Sequence, residues 1–211
     1  MSNDTITFLG CGSWGAALGS VLENKGLNVR FWHRNPKTVR DMQMTRKHYL
    51  MPNVKFGQSV SFHSDINESI VGSKNIVLAI PSQNIREIIF KIKHSIDSSI
   101  CIINVAKGIE KETLKTVSEV VFDVTKDLSN YVTISGPSHA EEVLANTPTA
   151  LVSASKNMSA ANFVQKLFST NKFRVYTNND LIGVEIGGSA KNVIAIAAGF
   201  CDGFGYGDNT K

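Results

Sequence analysis

The chain has 211 residues, 42% hydrophobic and 19% charged, with 22 basic and 18 acidic side chains for a net charge of +4. That composition is globular and excludes a disordered polymer; the near balance of charge, with no Lys/Arg-rich run, removes nucleic acid as the default partner. Three cysteines (Cys11, Cys101 and Cys201) lie far apart without a CxxC, and no basic-then-apolar leader or membrane-length apolar run is apparent, so a reduced, cytosolic chain without structural metal or membrane contact is expected.

In chain order, Thr5–Leu9 reads as a buried strand and Ser13–Asn24 as a helix with Leu18, Val21 and Leu22 on one face. Asn28–Trp32 is a second strand after a turn at Gly26. The run NIVLAI, 75–80, is continuously apolar, as expected of a strand buried on both faces, and Pro81 stops it. Ser82 is then expected to cap a helix carrying Ile85, Ile88, Ile89, Ile92 and Ile96. ICIINV, 100–105, is another strand, followed by a helix with Leu114, Val117, Val121 and Val124 on one face. Tyr131–Ser135, Thr149–Ala154 and 173–177 complete the strands. This alternation predicts an α/β fold, a doubly wound, mainly parallel sheet with helices on both faces. From about Leu181 the pattern changes to a long helix rich in small residues, the expected start of an all-helical second domain. The expected domains are 1–179 and 180–211.

Gly10-Cys11-Gly12-Ser13-Trp14-Gly15 follows the first strand and opens the first helix. In that context each glycine has a physical use in a dinucleotide cradle. Gly10 permits the tight turn, Gly12 lets backbone N–H groups approach a pyrophosphate, and Gly15 lets the helix pack close to the strand. The helix N-terminus adds partial positive charge and free donors. Ser13 can cap the helix or donate to phosphate, and Trp14 can wall a nicotinamide or join the core. The acid that usually grips the ribose is missing. His33 and Arg34 stand in its place, and an arginine there can accept a 2′-phosphate or stack on adenine; a solvated surface loop is the competing reading.

Four more stretches carry a resemblance that is far more specific. They are Val105-Ala106-Lys107-Gly108-Ile109-Glu110, the run from Ser135 through Gly136, Pro137, Ser138, His139 and Ala140 to Glu142, Phe173-Arg174-Val175-Tyr176, and the run from Gly183 through Glu185, Gly187, Gly188, Ser189, Ala190, Lys191 and Asn192 to Ala195. In this order, behind the glycine loop, the chain resembles NAD(P)-dependent glycerol-3-phosphate dehydrogenase along its length. The resemblance implies a Rossmann-like first domain, NAD or NADP as cofactor, and interconversion of dihydroxyacetone phosphate and sn-glycerol 3-phosphate in glycerophospholipid synthesis, by a cytoplasmic homodimer when full length. Carried over by residue, Lys191 matches the catalytic lysine, with Lys107 at the junction of substrate and cofactor. Gly136, Ser138 and Asn192 match substrate positions. Gly10, Gly12, Ser13, Trp14, Gly15, His33, Arg34 and Ala140 match cofactor positions. The family continues to a GDLxxT motif and an RN pair that hold the substrate phosphate. Here the chain stops at Lys211, which implies an active site only partly present.

The chemistry needs a proton donor and acceptor at the substrate C2 oxygen while hydride moves between that carbon and the nicotinamide. A lysine serves if its pKa is brought toward the working pH by partial burial or by a second ammonium. On pattern alone Lys191 reads more readily as a solvated helix lysine, a reading the resemblance reverses, while Lys107 reads equally as a surface residue after a strand. His139 is an unneeded alternative base. A 3-hydroxy-acid dehydrogenase of the same architecture, or a non-catalytic nucleotide-binding fragment, are the alternative functions.

Overall fold

The computed structural model describes residues 5–127 and 129–210. Residues 1–4 and 211, which open and close the two expected domains, and residue 128 lie outside the described residues. The strands are β1 (Thr5–Leu9), β2 (Asn28–Trp32), β3 (Val60–His63), β4 (Asn75–Leu78), β5 (Cys101–Asn104), β6 (Tyr131–Ser135), β7 (Thr149–Ala154) and β8 (Phe173–Asn178). The helices are α1 (Ser13–Asn24), α2 (Pro36–Thr45), α3 (Ile66–Ile70), α4 (Ile85–Ile92), α5 (Val117–Thr125), α6 (Ala140–Leu144), α7 (Met158–Phe168) and α8 (Leu181–Gly203).

All eight strands form one sheet in the order β3-β2-β1-β4-β5-β6-β7-β8. The first six run parallel; β7 is antiparallel to β6, and β8 is parallel to β7. From β1 the chain builds outward through β2 and β3, then crosses back to β4 and builds the other way. The order therefore reverses between β1 and β4, and that switch point leaves a crevice at the carboxyl ends of the strands.

Successive strand residues point to opposite faces. Phe8, Val77 and Ile103 join one core with α1, α2, α6 and α7, while Leu9, Ile76, Leu78 and Ile102 join a second with α4 and α5. The two cores explain why the strands read as continuous apolar runs. On α4, Ile85, Ile88, Ile89 and Ile92 are all buried, each stabilising by about 1.5–3 kcal/mol.

Several expectations shift. The strands expected over 75–80 and 100–105 end at Leu78 and Asn104, where the chain peels off toward the crevice. Ser82 caps nothing: it opens a 3₁₀ turn, Ser82–Asn84, and α4 begins without a side-chain cap, leaving Ile96 beyond its end. Leu114 is not on the helix face with Val117; it is 76% exposed in a loop with φ +57°. Helix α5 starts later, behind a capping box made by Thr116 and Glu119. By length and composition α8, 23 residues with an 18-residue stretch of mean hydropathy 1.4, could cross a membrane, contrary to the expectation that no apolar run reaches that length. Its Leu181 and Glu185 are buried within the protein.

Candidate functional site

The loops leaving β1, β4, β5 and β6 meet at the crevice. Gly10 has φ +113°, a conformation side chains rarely take, and a Cβ there would strike the Ala79 carbonyl. Helix α1 begins beyond Gly12 with no side-chain cap and no acid in its first turn. Ser13 therefore does not cap it. A Cβ on Gly12 would meet nothing within 4 Å, so open space faces the positive end of a 12-residue helix. Gly15 is buried and lines none of the cavities described below. A Cβ there would sit 2.9 Å from the Gly10 oxygen and 3.0 Å from the Ala79 Cβ, so its role is close packing.

Three cavities follow the carboxyl edge of the sheet. The first, about 400 Å³, is lined by Gly10, Gly12, His33, Arg34 and Tyr49. His33 is half-buried and its Nδ1 accepts from the Asn35 N–H at 3.1 Å, while Arg34 is exposed. The next residue, Asn35, caps α2 through its side chain. The second cavity, about 350 Å³, gathers Ser13, Trp14, Lys107, Ser138, His139 and Ala140. Ala79 and Ile80 line both, so the two hollows adjoin. The third, about 230 Å³, is lined by Ser135, Gly136, Gly187, Gly188 and Lys191. Lys107 links it to the second by donating from Nζ to the Gly136 carbonyl at 2.9 Å.

Lys107 and Lys191 thus face one another across the junction of the last two cavities. Burial, with the Lys191 charge adding to it, holds the Lys107 ammonium below the ordinary lysine pKa. Helix α8 approaches closely because residue 188 is glycine: a Cβ there would collide with the Ser135 hydroxyl. That hydroxyl is buried and without a hydrogen-bond partner among the described residues. Glu110 receives Arg86 in a two-pronged pair at 2.9 and 2.7 Å, which ties the loop after Lys107 to α4. Of the residues expected at the site, Asn192 is set apart; it is exposed and lines none of these cavities.

Two residues at the crevice have no signal in the sequence. Tyr49 enters from the stretch between α2 and β3, its ring centroid 5.1 Å from that of His33. His48, 1% exposed, is 2.9 Å through Nε2 from the Cys11 carbonyl inside the glycine loop. Its Nδ1 accepts from the Leu50 and Met51 N–H groups at 3.2 and 3.1 Å. The proton therefore sits on Nε2 and is donated to Cys11. No neighbouring pattern announces either residue; the connection between α2 and β3 brings them to the glycine loop and to His33.

A sheet whose order reverses beside a glycine-rich loop, with an uncapped helix N-terminus at the switch point, defines a Rossmann-like α/β protein. The family model described as the N-terminus of NAD-dependent glycerol-3-phosphate dehydrogenase matches residues 5–161, and that for the C-terminus matches residues 180–211. The chain belongs to the NAD-dependent glycerol-3-phosphate dehydrogenase family. It is 47% identical over 207 residues to glycerol-3-phosphate dehydrogenase [NAD(P)+] of Clostridium tetani, covering 98% of this chain and 59% of that one. Against the protein of the same name from Clostridium perfringens it is 45% identical over 209 residues, covering 98% and 62%. The crystal structure of glycerol-3-phosphate dehydrogenase from Coxiella burnetii superposes with a TM-score of 0.88 at 37% identity, over 98% of this chain and 63% of that one. The chain spans about 60% of the length of the curated relatives it matches.

Proposed function

We propose that this chain supplies the nucleotide-binding part, and one side of the substrate site, of an enzyme interconverting dihydroxyacetone phosphate and sn-glycerol 3-phosphate with NAD or NADP. The observation that carries the reading is the placement of Lys107 and Lys191 around Gly136, at the end of a groove that begins at the glycine loop. The family match favours it over a 3-hydroxy-acid dehydrogenase. The open, uncapped start of α1 fits a pyrophosphate. Gly10, Gly12, Ser13, Trp14 and Ala140 would hold the cofactor, with Gly15 keeping α1 close and His33 and Arg34 at its adenosine end. The exposed Arg34 guanidinium has room for a 2′-phosphate, consistent with either cofactor. A bound NAD or NADP would supply the hydride chemistry at the substrate carbon.

The remaining work falls to this chain's side chains. Lys191 holds the proton that goes to the C2 oxygen in reduction and takes it back in oxidation, an effect of about 10²–10⁴ in rate. Lys107, anchored to the Gly136 carbonyl, presents a second positive charge. Two ammonium groups this close disfavour one another, and an anionic substrate relieves that repulsion, so the pair selects for a phosphate ester. Gly136 and Ser138 would meet substrate oxygens, and Asn192, exposed on α8, would do so only alongside further helical structure. In this reading the complete enzyme is a cytoplasmic homodimer feeding glycerophospholipid synthesis, and the apolar outer face of α8 packs on the rest of a helical domain. The decisive test is Lys191→Met in the complete polypeptide. Turnover of dihydroxyacetone phosphate should fall at least about a hundredfold while NADH affinity, read by fluorescence titration, stays within a factor of about two. Activity retained in that variant would sink the assignment.

A further inference from the structure

Glu185 lies six residues before Lys191 on α8 and is 6% exposed. Its carboxylate is matched by donors rather than by a cation among the described residues. Oε1 accepts from the Ser118 N–H at 3.1 Å, from the Tyr131 hydroxyl at 2.8 Å and from the Thr133 hydroxyl at 2.8 Å. Oε2 accepts from the Ser118 hydroxyl at 2.6 Å. Ser118 is in the first turn of α5, whose helix dipole favours an anion there. Burying a carboxylate is costly, and an apolar side chain would attach α8 to the sheet more cheaply. Directional hydrogen bonds supply what apolar packing does not, a single register and rotation of the helix.

The bonds continue from Glu185 to both sides of Lys107. On one side, the Thr133 hydroxyl accepts from Asn104 Nδ2 at 3.3 Å, and Asn104 Oδ1 accepts from the Ala106 N–H at 3.0 Å. On the other, the Gly108 N–H donates to the Ser189 hydroxyl at 3.0 Å, which donates to the Glu185 carbonyl at 2.8 Å. Lys107 sits between the two arms, and Lys191 stands two residues beyond Ser189 on the same helix.

We propose that Glu185 is a positioning residue that sets the separation of Lys107 and Lys191 by closing a ring of hydrogen bonds through Thr133, Asn104, the Lys107 loop and Ser189. Its importance for turnover rests on the functional reading above; the geometry stands without it. Lys107 is faced by Lys191 from α8, and by His139 and Glu141 from the start of α6, which line the same cavity. Glu185 is faced by Tyr131, whose hydroxyl is pushed well above its ordinary pKa by burial first and by the Glu185 charge next. The phenol therefore stays protonated and enters the ring as a donor throughout the neutral range.

The test compares Glu185→Gln, Tyr131→Phe and Ser118→Ala in the complete polypeptide. The glutamine amide sets donors against donors, while the other two variants each delete a single donor and keep the carboxylate. The Lys107 ammonium is titrated by NMR with isotope-labelled lysine, and kcat and nucleotide affinity are measured alongside. Loosening the ring lets the two lysines separate, so the Lys107 pKa should rise toward its ordinary value in every folded variant. In parallel kcat should drop about tenfold or more, with nucleotide affinity unchanged. Unchanged Lys107 titration and kcat in folded Glu185→Gln would overturn the proposal. If that variant does not fold, unchanged values in both Tyr131→Phe and Ser118→Ala would overturn it equally. The titration decides even where wild-type protein does not turn over dihydroxyacetone phosphate, a result that would sink the functional reading alone.

Discussion

His48 shows how much one side chain settles at the glycine loop. It holds the Cys11 carbonyl through Nε2 and takes two backbone N–H groups on Nδ1, so only the neutral ring fits. Burial keeps its pKa below the ordinary histidine value, and burial does the same at His33 and His63. In the unfolded chain all three titrate near about 6.5. As pH falls through that value, the unfolded chain takes up protons that the folded one refuses. Stability should therefore be full above the mid-sixes, fall as pH drops below them, and level off once pH is below the folded values. Urea unfolding between about pH 7 and about pH 5 measures this slope. His48→Phe should flatten it, while costing about 1–3 kcal/mol at neutral pH from the orphaned Cys11 carbonyl and the Leu50 and Met51 N–H groups. An equal slope in the variant would remove His48 from this account.

At the scale of elements, the close approach of α8 to the end of β6 decides where Lys191 lies. The approach depends on a missing side chain, since a Cβ at Gly188 would collide with the buried Ser135 hydroxyl. Gly188→Ala should destabilise the protein by about 1–3 kcal/mol, as overpacking does. Ser135→Ala deletes the struck atom and should recover much of that loss, so a double-mutant cycle of unfolding free energies should show coupling of at least about 0.5 kcal/mol. Strict additivity would mean that α8 is held off the sheet by something else. The same scale shows why Leu114 misleads in the sequence. Its spacing to Val117 copies a helical repeat by coincidence, whereas the capping pair Thr116 and Glu119, a signal the expectation above did not use, marks the true start.

For the whole molecule, the face of α8 turned away from the sheet is apolar: Val193 is 67% exposed, Ile194 66%, Ile196 74% and Phe200 62%. An exposed apolar surface on this scale draws proteins together. The 211-residue polypeptide alone should therefore associate as its concentration rises, measured by light scattering. Ile194→Lys with Ile196→Lys should return it to a monomer without lowering its unfolding midpoint, because neither side chain is in the core. A wild-type chain that stays monomeric across the accessible concentration range would contradict this.

Features that repeat locally could be read along the chain. The buried strands other than β3, which was not foreseen, the helices α1 and α8, and the glycine turn beside its helix all follow from periodicity and from residues with special backbone or packing properties. Lys107 and Lys191 became legible as a pair only through motif order, since nothing in their spacing of 84 residues brings them together. The long-range bonds that brace the glycine loop and α8 were out of reach. The bond from His48 to Cys11 spans 37 residues and that from Ser118 to Glu185 spans 67. A hydrogen bond between such distant positions leaves no periodic trace, because either residue alone looks like an ordinary polar side chain. The sheet order and the closing of α8 onto β6 bring them within bonding distance, and it is there that Glu185, silent as one acid on an apolar helix, acquires four donors.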